Sequence, residues 1–123
     1  MSRRLVRTPE PPYLAVIFTS VRSEDEAGYL EVAGEMERLA AEQDGYLGHE
    51  VTRNRDGMGI TISYWRDEGA ISAWRANAKH RLARKLGNER WYDEYEMRIA
   101  RLERAYSGPR TLEDLSLIHI SEP

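Results

Sequence analysis

Apolar and polar positions along the chain fall into segments of different period, and the period sets the expected element. Tyr13-Leu14-Ala15-Val16-Ile17-Phe18-Thr19 is a short continuous run rich in β-branched and aromatic side chains. A strand with one wet face alternates, and this run does not, so it reads as a strand covered on both sides. From Ser23 onward the period lengthens. Ser23 and Glu26 have the spacing of a capping box, and Ala27, Leu30, Ala33, Met36 and Ala40 recur at steps of three and four. That spacing predicts an amphipathic helix over about residues 24–43. Its acids, Glu24, Asp25 and Glu26, stand where the helix dipole favours negative charge, and Asp44-Gly45 closes it.

Residues 46–53 and 58–65 are two β-prone runs separated by Asn54-Arg55-Asp56-Gly57, which is turn composition, so they predict a hairpin. Asp67 is placed to cap a second helix whose stripe is Ile71, Trp74, Ala78, Leu82 and Leu86, stopped by Gly87-Asn88. A second stripe, Ala73, Ala76, His80, Ala83 and Gly87, is made of small residues around one histidine, as a close approach of another backbone requires. The last segment is ambiguous. Tyr92, Tyr95, Ile99, Leu102 and Tyr106 fit a helical repeat. A strand over residues 95–105 is the alternative, because a strand covered on both faces need not alternate. With a fourth strand there, the element order is that of the split βαβ, ferredoxin-like α+β fold.

Composition narrows the class. The 123 residues contain no cysteine, 18 Lys and Arg, 21 Asp and Glu, and carry a net charge of -3. Length points to one domain, and the missing cysteines exclude disulfides. The slightly acidic balance demotes nucleic acid as a partner. No apolar run approaches the roughly 20 residues of a membrane span, so no membrane partner and a cytoplasmic location are expected. Residues 1–12, with Arg3, Arg4, Arg7 and three prolines, read as a flexible arm, and residues 13–106 as the domain. Residues 107–123 read as a disordered or non-native tail, so His119 is left out of the functional argument.

Several words of sequence, in order, resemble the antibiotic biosynthesis monooxygenase (ABM) domain family. They are Tyr46-Leu47-Gly48-His49-Glu50, Ser63-Tyr64-Trp65-Arg66-Asp67-Glu68, Ala70-Ile71-Ser72-Ala73-Trp74, His80 and Trp91-Tyr92-Asp93-Glu94-Tyr95. The resemblance spans about residues 13–106. It implies a dimeric α+β barrel in which two ferredoxin-like subunits pack sheet against sheet, and it makes the last segment a strand. A lone subunit would then expose a large apolar face, which predicts an obligate homodimer.

The resemblance also implies chemistry. The family includes enzymes that oxygenate electron-rich aromatics without metal or flavin. That reaction needs a proton removed from a phenol or anthrone, the oxyanion held, and water kept out while O2 reacts. His80 is the candidate base, because imidazole titrates near neutrality. On a straight helix it points away from the Trp74 stripe, so a kink near Asn77 is needed to bring the two into one cavity. Trp74 matches the tryptophan that lines the cavity in characterised relatives and can donate its indole hydrogen, or else it is core packing. Trp65, Trp91, Tyr92 and Tyr95 are either walls for a planar substrate or dimer core, and Tyr64 and Tyr95 are the phenols best placed as donors. His49 and Glu50 adjoin on a strand and so point to opposite faces. Glu50 is expected in the barrel interior with Tyr46 and Gly48 on its face, where lost hydration favours the neutral carboxyl, or where it is a salt-bridged structural glutamate.

Two other functions remain open at this point. One is a non-catalytic small-molecule binding or stress-response dimer. The other is haem binding or degradation, but the relatives that degrade haem use a histidine ten positions after the tryptophan matched by Trp74, and here that position is Arg84. They also use an asparagine on the first strand, where this chain has only apolar residues and Thr19. Three histidines, no cysteine and no pair at ligand spacing predict no metal site. The basic group Lys79, Arg81, Arg84 and Lys85 complements the helix dipole, or anchors an anion at the pocket mouth.

Overall fold

The computed structural model describes residues 4–23, 29–85 and 92–108. Trp91, Glu26, the Gly87-Asn88 stop and the tail beyond Gly108 lie outside them, as does the side chain of His80. The order is β1 (Tyr13–Arg22), α1 (Tyr29–Ala41), β2 (Tyr46–Arg53), β3 (Met58–Trp65), α2 (Glu68–Lys85) and β4 (Tyr92–Leu102). The strands form one antiparallel sheet in the order β2-β3-β1-β4, the ferredoxin-like arrangement.

The turn signals act where the sequence places them. Asn54 to Gly57 close the hairpin, with Gly57 N donating to Asn54 O at 3.1 Å and Asn54 N to Met58 O at 2.7 Å. Asp67 caps α2, its Oδ1 accepting from Ala70 N at 2.9 Å. Gly45 ends the α1 turn with φ of 89°, a value that only glycine adopts without strain. Beside it Arg66 grips Asp44 with both terminal nitrogens, at 3.3 and 3.1 Å, and Asp67 through Nε at 3.1 Å, tying the two helix-flanking turns together. Those contacts hold Asp44 below the ordinary carboxylate range, Arg66 first among the causes, and Asp67 below it through the Ala70 amide and then Arg66.

β4 is a strand, against its helical period. Ten registered pairs join it to β1, from Tyr13↔Leu102 to Arg22↔Tyr92. Without them β1 would be left with a row of unpaired backbone groups along one side, which outweighs the local pattern of Tyr92, Tyr95, Ile99 and Leu102.

Both helices cover one face of the sheet. The core between the layers is Val16, Trp65, Ala40, Ala70 and Ile71, with Leu14, Tyr46 and Trp74 packed against it. Two stripes are rotated from expectation. In α1 Val32, Leu39 and Ala40 are buried, while Ala33 and Met36 are only half-buried. In α2 Ala70, Ile71 and Ala78 are buried, but Ala73 and Ala76 of the small-residue stripe face solvent. The opposite face carries no helix. By register it presents Ala15, Ile17 and Thr19 of β1, Ile60, Ile62 and Tyr64 of β3, and Glu50 of β2. The arm reaches this face, with Val6 N donating to Glu50 Oε2 at 3.3 Å and Thr8 hydrogen-bonded to the Tyr13 hydroxyl at 2.7 Å. No helix of the described residues is long and apolar enough to cross a membrane.

Candidate functional site

The residue that organises the site is an extra one in β2. Tyr46 pairs with Trp65 and Gly48 with Tyr64, so Leu47 has no partner across the ladder and forms a β-bulge. Gly48, with φ of 135°, takes up the bend. A bulge shifts the alternation by one. Tyr46 therefore shares the helix-covered face with His49, and not the opposite face with Glu50 and Gly48 as strict alternation predicts. Hydropathy holds no sign of this, although glycine inside a strand pattern is a bulge signal.

On the helix-covered face an aromatic row runs from β2 to α2. The Tyr46 ring meets Trp65 edge-on at 5.5 Å, and Trp65 lies 5.2 Å from Trp74 at 32°. Trp65 is fully buried, and its Nε1 donates to Ser63 Oγ at 2.8 Å. The Nε1 of Trp74 is also buried, and among the described residues it has no acceptor. Leaving such a donor unmatched costs about 1–3 kcal/mol. At the near end of the row the Tyr46 hydroxyl and His49 Nδ1 are 2.5 Å apart. Burial, and then the nearby Glu37 carboxylate, push the Tyr46 phenol up from its ordinary pKa.

A second cluster on this face lies toward the β4 edge, where Phe18 meets Tyr92 at 5.3 Å and Tyr95 at 5.6 Å. Tyr95 is 61% exposed, so within one protomer it is not the wall of a closed pocket.

The remaining expected residues face the other way. Tyr64 is adjacent to Trp65 and so points to the helix-free side, where its hydroxyl donates to Glu50 Oε1 at 2.9 Å. Burial, and then that hydrogen bond, push the Tyr64 phenol up to about 12, which keeps it a proton donor. Tyr13 packs edge-on against it at 5.8 Å. Glu50, with the Val6 amide on its second oxygen, is thus occupied by neutral donors and, among the described residues, not by a salt bridge. The structure therefore gathers Trp65 and Trp74 together and sets Tyr64 and Glu50 on the opposite face of the sheet. As to His80, α2 runs as one continuous helix through Asn77. Six residues of regular helix separate its backbone from that of Trp74 by about 120° around the axis. Tyr46, Ser63 and His49 are the site neighbours that sequence reasoning passed over or set aside, and the bulge is what puts Tyr46 on the face of His49.

The comparisons agree with this architecture. The family model for antibiotic biosynthesis monooxygenase matches residues 12–86. The uncharacterized protein YqjZ of Bacillus subtilis is 50% identical over 100 residues, which cover 81% of this chain and 88% of that protein. The jasmonate monooxygenase ABM of Pyricularia oryzae is 29% identical over 76 residues, 60% of this chain and 35% of that longer protein. Among solved structures, SnoaB, a cofactor-independent oxygenase from Streptomyces nogalater, superimposes with a TM-score of 0.56 at 15% identity, over 81% of this chain and 100% of that one. The matched segment carries the bulged strand, Trp65 and Trp74 alike, and the chain belongs to the antibiotic biosynthesis monooxygenase family.

Proposed function

We propose that this protein is a cofactor-independent monooxygenase that oxidises a small aromatic or polyketide-like substrate with O2. The reaction class is that of an anthrone or hydroquinone whose phenolic oxygen is deprotonated, so that the electron-rich anion reacts directly with oxygen. For an anthrone, one oxygen atom enters as the new carbonyl and the other leaves as water. The protein's tasks are then to accept a proton, to hold the oxyanion and to exclude water.

The observation that supports this reading is the buried, unpartnered Nε1 of Trp74. In that role it donates to the substrate oxyanion, while the fully buried Trp65 packed against it fixes the indole. Tyr92 and Tyr95, with Trp91, are the further aromatic contacts. His80 and the His49 side of the row are the competing sources of a base. The active species is a homodimer, in which the helix-free faces of two sheets cover Ile17, Ile60 and Ile62. The cytoplasm is its proposed location.

Oxygen uptake on a panel of anthrones and hydroquinones tests the proposal. Turnover is expected in the wild type and lost in Trp74→Phe, with the fold of the variant intact by circular dichroism. Equal rates in the two proteins, or no uptake with any member of the panel, would sink it.

A further inference from the structure

Glu50 takes the Tyr64 hydroxyl at 2.9 Å and the Val6 amide at 3.3 Å, and among the described residues it has no cation beside it. It stands on the helix-free face, where it lines a cleft of about 680 Å³ between the arm and the sheet together with Arg4, Leu5, Thr52, Ile60 and Ile62. In the homodimer proposed above a second sheet closes over this face. A carboxylate covered in that way needs a positive partner. The register shows where this chain carries one. On the helix-free face one row across the sheet runs Glu50, Ile62, Ile17 and Arg98, and the next runs Thr52, Ile60, Thr19 and Glu96. Glu50 is thus on β2, one edge of the sheet, and Arg98 and Glu96 are on β4, the other edge. Three strand spacings, about 14 Å, keep Glu50 and Arg98 of one subunit apart. Within its own strand Arg98 meets Glu96 at 4.0 Å, an exposed contact that contributes little.

Two-fold symmetry can lay one such sheet on another in two ways. With the axis across the strands, β2 opposes β2 and both arms fall into one gap. With the axis along the strands, β2 opposes β4 and each gap takes one arm. The arm is a layer with thickness of its own. Val6 rests on Gly48, where a Cβ would collide with it, and Thr8 is bonded to the Tyr13 hydroxyl. Two arms in one gap would prop that edge open and leave the other edge unfilled, whereas one arm in each keeps the sheets near their usual spacing of about 10 Å.

We propose that the dimer axis runs along the strands, so that the partner's Arg98 enters the cleft under the arm and forms an ion pair with Glu50, twice by symmetry. The inference rests on the homodimer reading above and adds to it the axis and the charges that fix it. One row further on, the partner's Glu96 comes opposite Arg4, which borders the cleft beside Thr52 and Ile60 of that row. The negative and positive charges of β4 are thereby both matched by opposite charges on the β2 side. Leu5 of the arm, 67% exposed in the single protomer, is covered by the same opposing strand. The arm is then part of the interface, and its Val6 amide and the partner's Arg98 share the Glu50 carboxylate.

Two measurements on the full chain test the pairing. In the first, Arg98→Glu and Glu50→Lys are made separately. Each alone sets like charges against each other at both symmetric contacts, and its dimer Kd should rise by about 100-fold. Mixed in equal amounts, the two should form heterodimers in preference to either homodimer, because one contact is then native and the other is its charge reversal. Native mass spectrometry reads the species, since the two subunits differ in mass. A statistical mixture, or no dimer from the mixture, overturns the pairing, and a dimeric wild type then leaves the homodimer standing. A monomeric wild type overturns both. The second measurement leaves Glu50 and Arg98 in place and uses the absence of cysteine from the chain. Thr52→Cys and Glu96→Cys are treated with a bismaleimide that spans the sheet spacing of about 10 Å. The mixture of the two should cross-link between subunits, and neither should cross-link with itself. Self-linking of Thr52→Cys, or an unlinked mixture, would overturn the proposed axis.

Discussion

The indole rings of Trp65 and Trp74 lie 5.2 Å apart and tilted by 32°, yet only one of their two N–H groups has an acceptor. Trp65 donates to Ser63, and Trp74 donates to no described residue. The two Phe substitutions should therefore differ in size of effect. Trp65→Phe removes a satisfied hydrogen bond from a fully buried position and opens a cavity, at a cost of about 2–4 kcal/mol in urea denaturation. Trp74→Phe removes a donor that burial already penalises, and should change stability by less than about 1 kcal/mol. Equal losses would mean that Trp74 Nε1 is satisfied in solution.

Tyr64 gives a prediction in pH. Its folded pKa of about 12 lies above the ordinary value of 10.0. The stability from its protonated, Glu50-bonded form is thus fully present below pH 10 and is lost as pH rises toward 12. Urea midpoints measured from pH 8 to 12 should fall more steeply in the wild type than in Tyr64→Phe, with the two curves converging at the alkaline end. Parallel curves would place the Tyr64 hydroxyl in water.

Gly48 is held by geometry on two counts. Its φ of 135° disfavours any Cβ, and a Cβ there would collide with Cγ2 of Val6 in the arm. Gly48→Ala should destabilise the fold by about 1–3 kcal/mol. Adding Val6→Ala should relieve the collision but not the backbone strain, so a double-mutant cycle is expected to recover part of the loss. Full additivity would show that the arm does not rest on β2 in solution.

The proposed homodimer is tested by mass. Ile62 lies on the helix-free face between Ile17 and Glu50 in register, and a charge there would meet the opposing sheet. Light scattering at micromolar concentration should give a mass near twice 14.2 kDa for the wild type and a smaller one for Ile62→Asp. A monomeric wild type would remove the second sheet from the picture.

The sequence by itself determined the order of the first five elements, the Asn54 to Gly57 turn, the Asp67 cap and the family, because those signals depend on residues a few positions apart. A cap needs one carboxylate and the next amides, and a turn needs four residues. Three other matters were decided only by tertiary structure. The segment from Tyr92 to Leu102 has a helical period that only the family resemblance overrode in the sequence, and the reason it is a strand lies in the fold, where β1 needs a partner along its free side. Tyr64 and Glu50 share a face with each other and not with Trp74, since that depends on strand register and on which face the helices cover. The Tyr46–His49 contact exists because one residue, Leu47, is left out of the ladder. An extra residue changes no hydrophobic pattern, and only the pairing of β2 with β3 shows which side chains it turns over.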